Sequence, residues 1–182
     1  MRRLRHGARF SGEGNAVAHL DVGILERQVT WPMSAFDLTP PTPTERARLE
    51  ASLTGEERRV LLHHGTEAPF CGGLLSQKSA GVYCCRLCGL PLFRHEAKFD
   101  SGTGWPSFTS PYAPAHVIAV EDNSYGMRRI ETRCARCDSH QGHVFPDGPR
   151  PTGLRYCINS ASLSFVPDGQ ALPDPLQRGE AV

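Results

Sequence analysis

The sequence has no surplus of either charge: 20 Lys and Arg stand against 19 Asp and Glu, a formal net charge of +1. That balance argues against nucleic acid or an acidic membrane surface as a partner. No run of about 18 apolar residues occurs, so no membrane-spanning helix is expected. A secretory leader is not expected either, because Gly12-Glu13-Gly14-Asn15 stands where an apolar stretch should follow the basic start Met1-Arg2-Arg3. The cysteines number seven, and an odd count cannot form a complete set of internal disulfides. With thiol-rich, metal-like cysteine use, the expected lack of a leader leads to the expectation of a cytoplasmic protein; a monomer is expected.

What remains is an ordinary globular composition. With 182 residues, 39% hydrophobic and 21% charged, the chain is long enough for one domain with a real core. Residues 1–37 show no sustained period and are expected to be disordered or to follow from a mis-assigned start, Met33 being the alternative. Residues 38–166 carry the patterned domain, and residues 167–182, rich in Pro, Gly and Asp, are expected to be a flexible tail. A Pro-rich linker, Asp37 to Pro43, leads to a helix starting near Thr44. Thr54 and Glu57 form a capping box for a second helix, Glu56 to about His64, with Gly65 as its stop. Beyond Gly65, short apolar and aromatic runs alternate with turn residues. Residues 81–85, 117–120, 128–132, 142–145, 154–158 and 162–165 are expected strands. The fold class is therefore mainly β, with two helices at its N-terminal edge.

Four of the seven cysteines fall into two C-x-x-C pairs, Cys85 with Cys88 and Cys134 with Cys137. Each pair can offer two thiolates, and four thiolates are the closed donor set of a structural Zn²⁺. Residues 89–133 separate the pairs, so a metal would staple two distant hairpins rather than build a mini-domain. A redox C-x-x-C of thioredoxin type is the competing reading, but it wants one such motif opening a helix. Cys84 would point away from Cys85 on a strand and is read as a small core residue.

Three segments concentrate the remaining chemistry: 98–108, 140–149 and 153–160. Singly, each has a plainer reading: a lone Cys in the core, two unrelated histidines, a Trp anchoring a turn. Jointly they say more. Arg155, Cys157 and Asn159 alternate along one expected strand and would share a polar face. The charge of Arg155 can favour a thiolate at Cys157. His140 and His143 can donate protons, and Trp105 offers an apolar wall.

The segments His64–Phe70, Gly81–Tyr83, both C-x-x-C pairs, Ser101–Phe108, Gly142–Pro149 and Thr152–Ser160 closely resemble the methionine-R-sulfoxide reductase family, B type. The match runs from about Leu38 to Phe165, roughly two-thirds of the chain. The resemblance implies a fold of two antiparallel sheets around a zinc site (a β-tent) and a peptide-bound methionine-(R)-S-oxide substrate. It implies Cys157 as nucleophile, His143 as main acid and His140 as its support. Asn159 would position substrate and water, Arg155 would stabilise the thiolate, and Trp105 and Phe145 would line the substrate site. Cys85, Cys88, Cys134 and Cys137 would hold one Zn²⁺, and thioredoxin or a similar dithiol would be the reductant.

Two positions depart from the family pattern. Gln141 replaces a common Leu, with altered packing beside the histidines expected. Thr103 replaces the resolving cysteine that many members carry before GWPSF. Cys71 resembles the resolving cysteine of a subgroup, in a loop that Gly72 and Gly73 would free to move; a merely packed Cys71 is the competing reading. Against the whole enzymatic reading stands a non-catalytic zinc-binding β module.

Overall fold

The structure is a computed structural model that describes residues 36–178. Nearly all of the expected N-terminal extension, 1–37, lies outside the described residues. Two helices come first, α1 (Pro43–Ala51) and α2 (Gly55–Leu61). Both start from a capping box. Thr54 and Glu57 cap α2 as expected, and Thr42 with Glu45 caps α1, with Pro43 pre-set for the first turn. Helix α2 stops at Leu61, short of His64. The left-handed residue after it is His64 (φ 53°), not Gly65, whose N–H instead bonds the Arg59 carbonyl at 3.0 Å. Histidine is among the residue types that tolerate this region.

Among the described residues nine strands follow: β1 (Gly81–Cys85), β2 (Pro91–Arg94), β3 (Lys98–Phe99), β4 (Ser107–Phe108), β5 (Val117–Asp122), β6 (Arg129–Cys134), β7 (His140–Phe145), β8 (Arg155–Ile158) and β9 (Leu163–Pro167). They form two antiparallel sheets, β2-β1-β9 and β3-β4-β8-β7-β6-β5. The mainly β, two-sheet architecture is thus the one expected. β2, β3 and β4 have no counterpart among the runs read from the sequence; two are only two residues long, too short for alternation to register.

Side chains from both sheets and both helices make the core. Leu61, Tyr83, Leu90, Leu92, Phe93, Phe108 and Ile158 are fully buried, and Phe93 stacks on Phe108 with ring centroids 4.4 Å apart. Burying each such side chain stabilises the fold by about 1.5–3 kcal/mol. Cys84 is wholly buried, in accord with its reading as a core residue.

The segment 167–178 departs from the expected flexible tail. Leu176 is 5% exposed and joins the core. Arg178 donates to the Thr39 carbonyl and pairs with Asp37 and Glu45. Composition had hidden one buried leucine and one multiply bonded arginine among residues that favour turns. Among the described residues no helix is long and apolar enough to cross a membrane.

Candidate active site and four-cysteine centre

The two C-x-x-C pairs fold by the same local rule. Each begins at the last residue of a strand, Cys85 of β1 and Cys134 of β6. Four residues on, a backbone N–H returns to that cysteine's carbonyl: Gly89 to Cys85 and Asp138 to Cys134, both 2.9 Å. Both returning residues have positive φ, 79° and 57°. At Gly89 a Cβ would also stand 2.4 Å from the Pro173 carbonyl oxygen, so only glycine fits. The repeated turn aims four sulfurs at one point.

All four sulfurs lie within 4.8 Å of one another, and all four cysteines are buried. Cys85 to Cys137 and Cys88 to Cys134 are each 3.6 Å apart. That is far beyond the roughly 2.05 Å of a disulfide bond. It is close to the edge of about 3.8 Å expected for a tetrahedron of thiolates around Zn²⁺ at about 2.3 Å. The donor set therefore fits a closed, thiophilic metal site.

Gln141 does not pack beside the histidines. It lies on the other side of β7, where Nε2 donates to Ser139 Oγ (2.9 Å) and points at Cys85 Sγ (3.7 Å). The cause is a β-bulge. Thr132 pairs with Gly142 and Arg133 with His140, so Gln141 is the extra residue. In a regular strand two residues three apart face opposite sides. The bulge restores the phase and brings His140 and His143 to one face.

The same register builds the rest of the site. His143 stands directly across from Cys157, and Phe145 across from Arg155. On the other flank of β8, Ser107 pairs with Cys157. A run of hydroxyls leads to the sulfur: Ser107 to Ser101 at 2.7 Å, Ser101 to Thr103 at 2.8 Å, Thr103 to Cys157 Sγ at 4.0 Å.

Cys157 is half-buried. Burial pushes its thiol pKa up, and this outweighs the opposing help of Thr103 and Arg155. Arg155 acts to lower the Cys157 pKa, as does Thr103, but burial prevails. Part of the reason is that the guanidinium is committed: it pairs twice with Asp147 (2.8 and 2.9 Å) and lies over the Phe145 ring at 4.6 Å.

Each histidine is held by a carboxylate that is itself held by an arginine. His140 Nδ1 meets Glu131 Oε1 at 2.5 Å, and Arg133 donates to the other Glu131 oxygen at 2.8 Å. His143 Nε2 meets Asp122 Oδ2 at 2.8 Å, and Arg129 donates to that same oxygen at 2.6 Å. Hydrogen bonds from Ser124 and His143, with Arg129 nearby, hold Asp122 well below the usual carboxylate range. Neither Glu131 nor Asp122 was singled out in the sequence. No motif marks them, and Asp122 lies beyond the expected end of its strand.

Asn159 leaves the expected polar face. β8 ends at Ile158, and Asn159 is 3% exposed. Its Oδ1 accepts from the Glu67 N–H and its Nδ2 donates to the Gln141 carbonyl. Glu67 in turn accepts the N–H groups of Ser160 and Ala161, and its carbonyl accepts Trp105 Nε1–H at 3.1 Å. The loop 65–72 is thus clamped over the Cys157 strand end. Phe70 N–H bonds the Gly104 carbonyl (2.8 Å), and a Cβ on Gly72 would stand 2.1 Å from Ser160 Oγ. Gly72 is therefore a packing position, while Gly73 lies in open space. Between these clamps Cys71 is exposed.

Two cavities lie on the β3 side and on the β5–β7 side of the larger sheet. One, of about 470 Å³, is lined by Phe70, Phe99, Trp105 and Pro106. The other, of about 580 Å³, is lined by His64, Asp122, Tyr125, Glu131, His140 and His143. Cys157 lines neither; its strand runs between the β4 flank and the β7 flank.

The SelR domain profile matches residues 53–167. This chain belongs to the SelR domain family. A peptide methionine sulfoxide reductase MsrB of Caulobacter vibrioides is 75% identical over 149 residues, covering 82% of this chain and 94% of that protein. A peptide methionine sulfoxide reductase MsrB of Xylella fastidiosa is 61% identical over 145 residues, covering 80% and 94% respectively. The family match spans the two sheets, both cysteine pairs and every residue of the site just described.

Proposed function

We propose that this chain is a thioredoxin-dependent peptide-methionine (R)-S-oxide reductase with Cys157 as its nucleophile. The observation that carries the reading is a half-buried sulfur in cross-strand register with His143, on the face that also presents His140. The 75% identity to a protein named for this activity supports it.

The sulfur of Cys157 attacks the sulfoxide sulfur, and the thiol proton passes to the sulfoxide oxygen through the imidazoles of His143 and His140. Methionine departs, and the oxygen remains on Cys157 as a sulfenic acid. The methyl group of the substrate packs on Trp105 and Phe145, Arg155 favours the developing thiolate, and Asn159 fixes the strand end that orients the reacting centre. Cys71 then attacks the sulfenic acid, giving a Cys71–Cys157 disulfide and water. An external dithiol of thioredoxin type reduces that disulfide by exchange. Exposure of Cys71 and the open space at Gly73 suit this role, whereas Thr103 can supply only a hydroxyl beside the sulfur.

Cys85, Cys88, Cys134 and Cys137 would hold one Zn²⁺, which when bound ties β1 to β6 and takes no part in electron transfer. Substrates would be oxidised proteins, and a reducing, cytoplasmic setting suits the exposed thiol.

The test is turnover of separated methionine sulfoxide epimers in peptides. The (R)-epimer should be reduced and the (S)-epimer left. Equal turnover of both would overturn the assignment, and turnover of neither would favour a non-catalytic zinc module. Cys71→Ser should abolish thioredoxin-coupled cycling but leave one turnover per chain; unchanged cycling would remove Cys71 from the mechanism.

A further inference from the structure

Glu131 sits in β6, and its side chain is almost withdrawn from solvent at 7% exposure. It is nevertheless well supplied with donors. Oε1 meets Nδ1 of both His64 (2.7 Å) and His140 (2.5 Å), while Oε2 meets Arg133 (2.8 Å). Burial alone would push the Glu131 pKa up, but Arg133, His64 and His140 hold it down at about 2. An ionised carboxylate can only accept hydrogen bonds. Both imidazoles therefore present Nδ1–H to it, and the ring proton of His140 is fixed on Nδ1. Burial pushes the His140 pKa down against the opposing pull of Glu131, which disfavours the charged ring. Its second nitrogen, Nε2, is buried and has no hydrogen-bond partner among the described residues. A bare lone pair in such a place is costly and suits a group that receives a proton during a reaction.

Two imidazoles and a carboxylate within 4.8 Å also resemble a metal ligand set. The guanidinium of Arg133 on the same carboxylate opposes a cation there, and the short N···O distances are those of charge-assisted hydrogen bonds.

We propose that Glu131 is a positioning residue for the reductase reaction, holding His140 in the Nδ1–H form so that Nε2 serves as proton acceptor beside His143. The proposal rests on the reductase reading and deepens it. As Cys157 sulfur bonds to the sulfoxide oxygen's partner atom, the thiol proton moves to Nε2; it then returns to the oxygen that ends on Cys157. Protons balance, and the transient imidazolium is stabilised by Glu131, the logic by which a buried carboxylate supports a catalytic histidine elsewhere. His64, half-exposed and sharing Oε1, closes the outer side of the arrangement.

The experiment uses the full, zinc-loaded chain and has two independent readouts. Nitrogen-15 NMR of the resting protein should find His140 as the Nδ1–H tautomer. In Glu131→Gln the Nε2–H form should appear, because the amide no longer demands a ring donor. In single-turnover reduction of a methionine-(R)-sulfoxide peptide, Glu131→Gln should lower the rate about 10–100-fold with KM within about twofold, as an outer partner of a working histidine does. His64→Ala should keep the tautomer and cost less than tenfold. Wild-type His140 found as Nε2–H would overturn the proposal, and that spectrum decides even if Glu131→Gln fails to fold. A folded Glu131→Gln protein with wild-type rate and tautomer would overturn it equally. A wild-type protein with no reductase activity would sink the reductase reading instead, while the tautomer result would still stand on its own.

Discussion

The four-cysteine centre and the Cys157 site adjoin along β6 and the turn into β7 and share almost no properties. Cys134 closes β6 three residues after Glu131, and Cys137 precedes His140 by three. At one end the sulfurs are dry, mutually close and symmetric, with matching turns on both pairs. At the other end a single sulfur stays half-buried, its thiol pushed up by burial, among imidazoles pinned by carboxylates and one buried nitrogen without a partner among the described residues. The first arrangement lowers free energy. The second tolerates unfavourable features that make sense only for chemistry. The contrast teaches that a rigid closed centre beside a reactive one fixes strand ends whose side chains must meet a substrate within fractions of an ångström.

The largest effects should separate the two centres. Cys157→Ser should remove essentially all sulfoxide turnover while leaving metal content and melting temperature unchanged. Cys88→Ser, or removal of metal by a chelator, should unfold the chain. Binding at such sites is worth on the order of 10 kcal/mol, comparable to the whole stability of a domain. Parallel measurements of turnover, bound metal and melting check both. A fall in melting temperature for Cys157→Ser as deep as that for Cys88→Ser would erase the distinction.

A substitution at the bulge sharpens the comparison, because it touches the site without touching the cysteines. A Cβ on Gly142 would stand 2.0 Å from the Cys157 carbonyl oxygen. Gly142→Ala must therefore shift β7 against β8. Overpacking of this kind costs about 1–3 kcal/mol. Turnover should fall more than the stability loss explains, since His143 and Cys157 would lose their register, yet bound metal should stay near one per chain. Denaturant unfolding beside single-turnover kinetics checks this.

The two centres also differ in how far they could be read from the sequence. Cys85, Cys88, Cys134 and Cys137 were legible because C-x-x-C spacing is local and its chemistry is specific. Cys157 was legible as chemistry only in company with Arg155, His140, His143 and Trp105, and its role came through resemblance. The bulge was not legible: nothing in His140-Gln141-Gly142-His143 marks which residue is extra. Gln141 was placed beside the histidines because they flank it in the chain, whereas the bulge turns it to Ser139 on the other side of β7. Glu131 and Asp122 were invisible because their meaning depends on partners 9 and 21 residues away in the chain. Asn159 was misplaced because a strand was extended by one residue past Ile158. Boundaries of this kind are set by tertiary contacts such as the Glu67 carboxylate on Ser160 and Ala161, not by local pattern.

The smallest effect belongs to Gln141, the residue that faces the metal centre from the strand of the active site. Its Nε2 hydrogens go to Ser139 and toward Cys85 Sγ, but its Oε1 is buried without a partner among the described residues. A half-satisfied buried amide gains from its donors and loses on its bare oxygen. Replacing such a group by an apolar one of similar size is near neutral, because the orphaned acceptor leaves with the donor. Gln141→Leu should therefore change stability by less than about 1 kcal/mol. Turnover should hold within about twofold, since the side chain points away from both histidines. What should change is the sulfur: Cys85 loses an N–H directed at it, so metal should leave to a chelator several-fold faster by the usual scale of outer-partner effects. Slow release with reduced turnover would reverse the picture and place Gln141 on the catalytic side of β7.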